Sequence, residues 1–214
     1  MEPRLERLVD GATAAVFRGK MHPVDMADRL MRQADFDAAE GAAGLEIPNQ
    51  WSMRINPADV PPAINTIELE SELASAMIAF ASEQGWRTNG PITVEVVSDG
   101  AVPRGLADCA GVTEPGPIEP WAQLVATSPP LVVEIGDNRS ILGRAVEGDI
   151  VISVPELSRK QAIIVRTGHE ATIADLSSAN GTFVNGERIG VEPHQLVPGD
   201  MVTMGDIDFV FRRL

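Results

Sequence analysis

Apolar and polar positions follow two periods along this chain, and the change from one to the other falls near its middle. Leu5, Leu8, Val9, Ala12 and Val16 recur at helical spacing over residues 4–17, and Met26, Ala27, Leu30, Met31 and Ala34 repeat that spacing after His22-Pro23. Two amphipathic helices are predicted. Trp51, Met53 and Ile55 then alternate with Ser52, Arg54 and Asn56, and Ile92, Val94 and Val96 with Thr93, Glu95 and Val97, which is the pattern of strands. Between them Leu69, Leu73, Met77 and Phe80 form an apolar stripe, opened by Asn65 and Glu68 at capping-box spacing and closed by Gly85. A strand–helix–strand connection is almost always right-handed and joins parallel strands, so residues 1–99 are expected to form a small α/β domain.

Residues 100–128 lose this periodicity. Six prolines between positions 99 and 130 and four glycines interrupt every pattern, so the stretch reads as a linker, with Trp121, Leu124 and Val125 as a short docked turn. From Leu131 the texture is one of short apolar runs separated by turns such as Gly136-Asp137-Asn138, Asn185-Gly186 and Pro198-Gly199-Asp200. Runs at 131–135, 139–142, 149–152, 162–165, 171–174, 182–184, 201–204 and 207–211 predict an antiparallel β-sandwich over residues 129–214. The fold class is therefore α+β with two domains: α/β first, all-β second.

Charge and composition narrow the function. The 214 residues carry 17 basic and 31 acidic side chains, a net charge of −14, and residues 1–100 alone carry −8. Nonspecific nucleic-acid binding, which needs phosphate neutralisation by Lys and Arg, is disfavoured, and Gly19-Lys20-Met21-His22 is no GXXG loop. The single Cys109 can form no internal disulfide, and neither a secretion signal nor 18 consecutive apolar residues is found, so a cytoplasmic protein not inserted in a membrane is expected. His22, His169 and His194 have no metal-ligand spacing, Cys109 has no evident base, and no phosphate-cradling Gly pattern follows the first strand. No catalytic residue, metal or cofactor is expected.

The candidate chemistry lies in the turns of the β domain. Gly143-Arg144, then Ser158-Arg159-Lys160-Gln161, then Ser177-Ser178-Ala179-Asn180-Gly181-Thr182 followed by Asn185-Gly186 stand in order between strands, and together they resemble the forkhead-associated (FHA) domain. That resemblance implies a β-sandwich whose loops at one end bind phosphothreonine peptides in Ser/Thr-kinase signalling. It assigns Arg144 and Ser158 to the phosphate, Arg159 to phosphate or peptide, and Asn180 to the peptide backbone. Gly143, Gln161, Gly181, Thr182, Asn185 and Gly186 become the framework of the site. The residue types suit a phosphate dianion, which favours a planar Arg fork and hydroxyl and N–H donors in a rigid frame.

Two positions depart from the FHA pattern. Gln161 stands where His is usual, and Ala179 where Ser or Thr donates a hydroxyl to the phosphate. A hydrogen bond to a charged group is worth about 1.5–3 kcal/mol, so the loss is expected to cost one or two decades of affinity unless Ser177 or Ser178 compensates. A phosphate-independent interaction module is the alternative these departures raise. Leu5 to Gly11, Val16 to Gly19 and His22 to Ala27 resemble in turn the opening of the FhaA N-terminal domain family of actinobacteria. This second resemblance implies an adaptor linked to cell-wall synthesis or division, with a second protein partner on the N-terminal domain and recruitment to a membrane protein.

Overall fold

The computed structural model describes residues 21–60, 64–145 and 149–214. The helix expected over 4–17 lies outside them. The chain divides into two compact units, the first drawn from residues up to 116 and the second chiefly from 117–214.

The first unit opens on helix α1 (Pro23–Asp37), which begins where the sequence places it because Pro23 occupies the first turn, where no N–H partner is needed. His22 Nδ1 accepts from Val24 N at 3.3 Å, and His22 N donates to Asp25 Oδ2, so this histidine is a helix cap. Met26, Ala27, Leu30, Met31 and Ala34 are all buried, as the stripe predicts. A short hairpin, β1 (Ala39–Gly41) and β2 (Gly44–Glu46), leads to β3 (Gln50–Ile55), and helix α2 (Thr66–Gln84) connects it to β4 (Thr93–Ser98). Strands β3 and β4 are parallel, as the crossover requires. Gly85 ends α2 at φ +65°, and Asn65 Oδ1 accepts from Glu68 N at 3.4 Å at its start.

The stretch expected as a linker is structured at both ends. Residues 107–112 form β5 (Ala107–Val112), antiparallel to β3, which makes a three-stranded sheet of order β4-β3-β5. Its inward positions are Ala107, Cys109 and Gly111, too small to register as an apolar run. Buried Asn49 fastens this sheet, its Nδ2 donating to the Pro91 and Glu114 carbonyls while its Oδ1 accepts from Glu114 N. At the other end, residues 122–127 form β6 (Ala122–Thr127) of the second unit, where a docked turn was expected. Ala122, Leu124 and Ala126 point inward and Gln123, Val125 and Thr127 outward, a period-2 pattern that the flanking prolines and the small alanines hide in the sequence.

The second unit is all-β. Strands β7 (Pro130–Ile135), β8 (Arg139–Gly143), β9 (Ile150–Val151), β10 (Ala162–Thr167), β11 (Glu170–Asp175), β12 (Thr182–Val184), β13 (Glu187–Ile189), β14 (His194–Gln195), β15 (Met201–Met204) and β16 (Ile207–Arg213) join β6 in two sheets. Their orders are β14-β11-β10-β8-β9 and β13-β12-β15-β16-β6-β7. Leu142, Ile164 and Ile173 from the first sheet share one core with Leu124, Val202, Phe209 and Phe211 from the second. Trp121, just before β6, meets Phe211 edge-on with ring centres 6.3 Å apart, and its Nε1 donates to the Asp137 carbonyl. The Arg166 and Arg213 guanidinia lie 5.5 and 5.6 Å from its ring, where the negative face of the aromatic attracts them.

Candidate functional site

Three connections between strands converge at one place: the turn after β8, the loop from β9 to β10, and the turn from β11 to β12. Gly143 ends β8 against the Arg159 backbone, where a Cβ would stand 1.9 Å from the Arg159 carbonyl oxygen. Only glycine allows that approach, and it brings the Arg144 turn against the Ser158–Arg159 loop.

Ser158 ties all three connections together. Its carbonyl accepts from Arg144 N at 3.0 Å, its N–H donates to Gln161 Oε1 at 2.9 Å, and its Oγ accepts from Ala179 N at 2.9 Å. The hydroxyl therefore keeps its own hydrogen to donate outward. Gln161 is fully buried, and its Nε2 lies within hydrogen-bond reach of Ser178 Oγ, the Gly181 carbonyl and Thr182 Oγ1 at 2.9, 2.9 and 3.1 Å. Beneath it Asp175 Oδ1 accepts from the Ser178 and Thr182 hydroxyls, and Asp175 Oδ2 accepts from Ser178 N. An amide at position 161 thus holds two loops in register where an imidazole is usual.

Arg144, Ser158, Arg159 and Lys160 line an open pocket of about 540 Å³. Arg144, Arg159 and Lys160 are exposed, and among the described residues none of them is engaged in an ion pair. Three of the residues picked out in the sequence as ligand-contacting are brought together here, and the structure adds Lys160. Asn180 stands beside the pocket, its Nδ2 donating to the Glu156 carbonyl at 2.8 Å, so its amide N–H joins two loops. Gly181 at φ +85° and the Asn185-Gly186 pair at φ +51° and +84° occupy the left-handed region that these residue types tolerate.

Ser178 does not replace the hydroxyl missing at position 179. It is buried, and its hydrogen goes to Asp175. Asp175 stands three residues before Ser178, a spacing at which a side-chain oxygen accepts from the backbone N–H of a turn, and that spacing is the sequence signal for the pair. Cys109 lies in the first unit, where burial pushes its thiol up to about 11, so it is protonated at neutral pH. Among the described residues no group of His, Cys, Asp and Glu could hold a metal ion, and no helix is long and apolar enough to cross a membrane.

Residues 1–109 match the family described as FhaA, N-terminal domain, and residues 140–205 match the FHA domain. The ABC transporter ATP-binding/permease protein Rv1747 of Mycobacterium tuberculosis is 39% identical over 105 residues, which cover 49% of this chain and 12% of that protein. The transcriptional regulatory protein EmbR of Mycobacterium tuberculosis is 39% identical over 71 residues, 33% of this chain and 18% of that one. The chain thus spans less than a fifth of the length of either relative. Among solved structures, that of Mycobacterium tuberculosis EmbR in complex with a low-affinity phosphopeptide is similar over 43% of this chain and 24% of that one, at 33% identity and a TM-score of 0.40.

Proposed function

The chain belongs to the FhaA N-terminal domain family and carries an FHA domain behind that domain, and from this premise we propose that it is a signalling adaptor binding phosphothreonine-containing proteins in Ser/Thr-kinase signalling. The observation that carries the reading is the pocket lined by Arg144, Ser158, Arg159 and Lys160: three cations and one outward hydroxyl around a space of about 540 Å³, on a chain of net charge −14. An acidic protein that gathers in one concavity three cations with no carboxylate partner among the described residues has a localised place for a dianion.

In this proposal Arg144 and Arg159 hold the phosphate with the Ser158 hydroxyl, and Asn180 aligns the peptide backbone. Residues 1–99 supply the second protein contact, and the partners belong to cell-wall synthesis or division, including a membrane protein that recruits the adaptor. Titration calorimetry with one threonine peptide in phosphorylated and unphosphorylated form tests it. Only the phosphorylated form should bind, and Arg144→Ala should abolish binding without moving the thermal transition, because an exposed loop Arg contributes recognition and little core. Equal binding of both forms would favour a phosphate-independent scaffold instead, the reading to which Ala179 points.

A further inference from the structure

The outer face of the six-stranded sheet carries a row of apolar side chains that the core does not use. Register places Met201 on β15 directly opposite Val210 on β16, Val210 opposite Val125 on β6, and Val125 opposite Val132 on β7. The row crosses four adjacent strands, at mid-length on β16, β6 and β7 and at the start of β15. Met201, Val210 and Val132 are 45%, 36% and 54% exposed. Single exposed apolar side chains are ordinary on a protein surface, but four in register form one continuous stripe.

Strand β16 carries opposite charges on either side of the stripe, and Glu134 on β7 points outward in the same row as Arg212, across Gln123. Asp208 lies two residues before Val210 and Arg212 two residues after it, all three pointing outward. Thr203 Oγ1 donates to Asp208 Oδ1 at 2.6 Å, which leaves the second oxygen for another donor. Arg212 is exposed and, among the described residues, engaged in no ion pair.

We propose that this face joins a second copy of the chain across a two-fold axis lying along the stripe. Such an axis lays each apolar row on the other and reverses the strand direction. Asp208 of each copy then faces Arg212 of the other, which forms two equivalent ion pairs from one self-complementary patch. An axis along the strands would instead set Asp208 against Thr127 and Arg212 against Gln123, with no ion pair. The patch is four strands wide and five residues deep, a footprint on the order of 300 Å² per copy, so the dimer is a weak and reversible one. Arg144, Ser158 and Arg159 lie in connections between strands and not in this row, so none of them belongs to the contact.

Sedimentation velocity of the full chain, from about 10 µM to about 1 mM, spans the range in which so small an interface associates. A reversible monomer–dimer equilibrium is expected. Val210→Glu should leave only monomer, and Asp208→Arg and Arg212→Asp should each weaken association about tenfold or more, because each reversal sets like charges opposite twice. The double variant Asp208→Arg/Arg212→Asp should restore it, which a merely misfolded single variant could not do. A wild-type chain that stays monomeric at the highest concentration, or a dimer indifferent to these substitutions, overturns the proposal.

Discussion

Gln161 shows how one buried side chain can carry the geometry of a surface site. Its carbonyl takes the Ser158 N–H and its amide serves the far loop, so the loops around the pocket are set by a fully buried group that does not line it. Gln161→Ala leaves the Ser158 N–H and the Gly181 carbonyl without partners and should cost about 3 kcal/mol or more. In a domain of roughly 100 residues that is a fall in Tm on the order of 10 °C or more, measurable by calorimetry, with peptide affinity falling in parallel. Ala179 acts in the opposite sense. It is exposed, its N–H is already committed to Ser158 Oγ, and it offers the ligand no hydroxyl. Ala179→Thr should therefore tighten phosphopeptide binding by about 1 kcal/mol or more while leaving Tm nearly unchanged. An unchanged dissociation constant would mean that this turn does not face the phosphate.

At the scale of elements, legibility followed side-chain size. Strands that bury large aliphatic or aromatic residues at every second position, such as β3 with Trp51, Met53 and Ile55 or β16 with Phe209 and Phe211, stand out in the sequence within a residue or two of their observed ends. The strands that bury Ala, Cys or Gly, β5 and β6, were submerged in proline-rich surroundings and read as linker. The two-residue β14 and the three-residue β13 are too short for any period to declare itself, and their pairing comes from the neighbours. That Arg144, Ser158 and Arg159 stand in neighbouring loops was legible because their motifs follow one another in the order of the FHA pattern, whereas the Asp175–Ser178–Thr182 network beneath them is visible only once the turn closes. Trp121 is the clearest case of an element mistaken for its setting. It belongs to the sandwich core, packed on Phe211 and covered by Arg166 and Arg213. Trp121→Ala should cost about 3–5 kcal/mol by removing a large buried ring, and it should open β6 to limited proteolysis. If cleavage in residues 117–127 is no faster in the variant, Trp121 does not anchor that strand.

Under the proposed function, the molecule as a whole opposes the phosphopeptide that its pocket would take. Net charge −14 repels a phosphopeptide at long range, while Arg144, Arg159 and Lys160 attract it at contact distance. Which field the ligand feels during approach depends on salt. At about 0.01 M ionic strength the Debye length is about 30 Å and the entire acidic surface acts on it; at about 0.15 M it is about 8 Å and only the nearest charges remain. Near 1 M, about 3 Å, even the pocket is screened. The association rate constant should therefore rise as salt increases from about 0.01 to about 0.15 M and fall again toward 1 M. Stopped-flow mixing with a fluorescent phosphothreonine peptide reads this directly. For a pocket whose cations governed the whole approach, the rate would decline monotonically from the lowest salt, and the acidic remainder of the chain would have no part in steering.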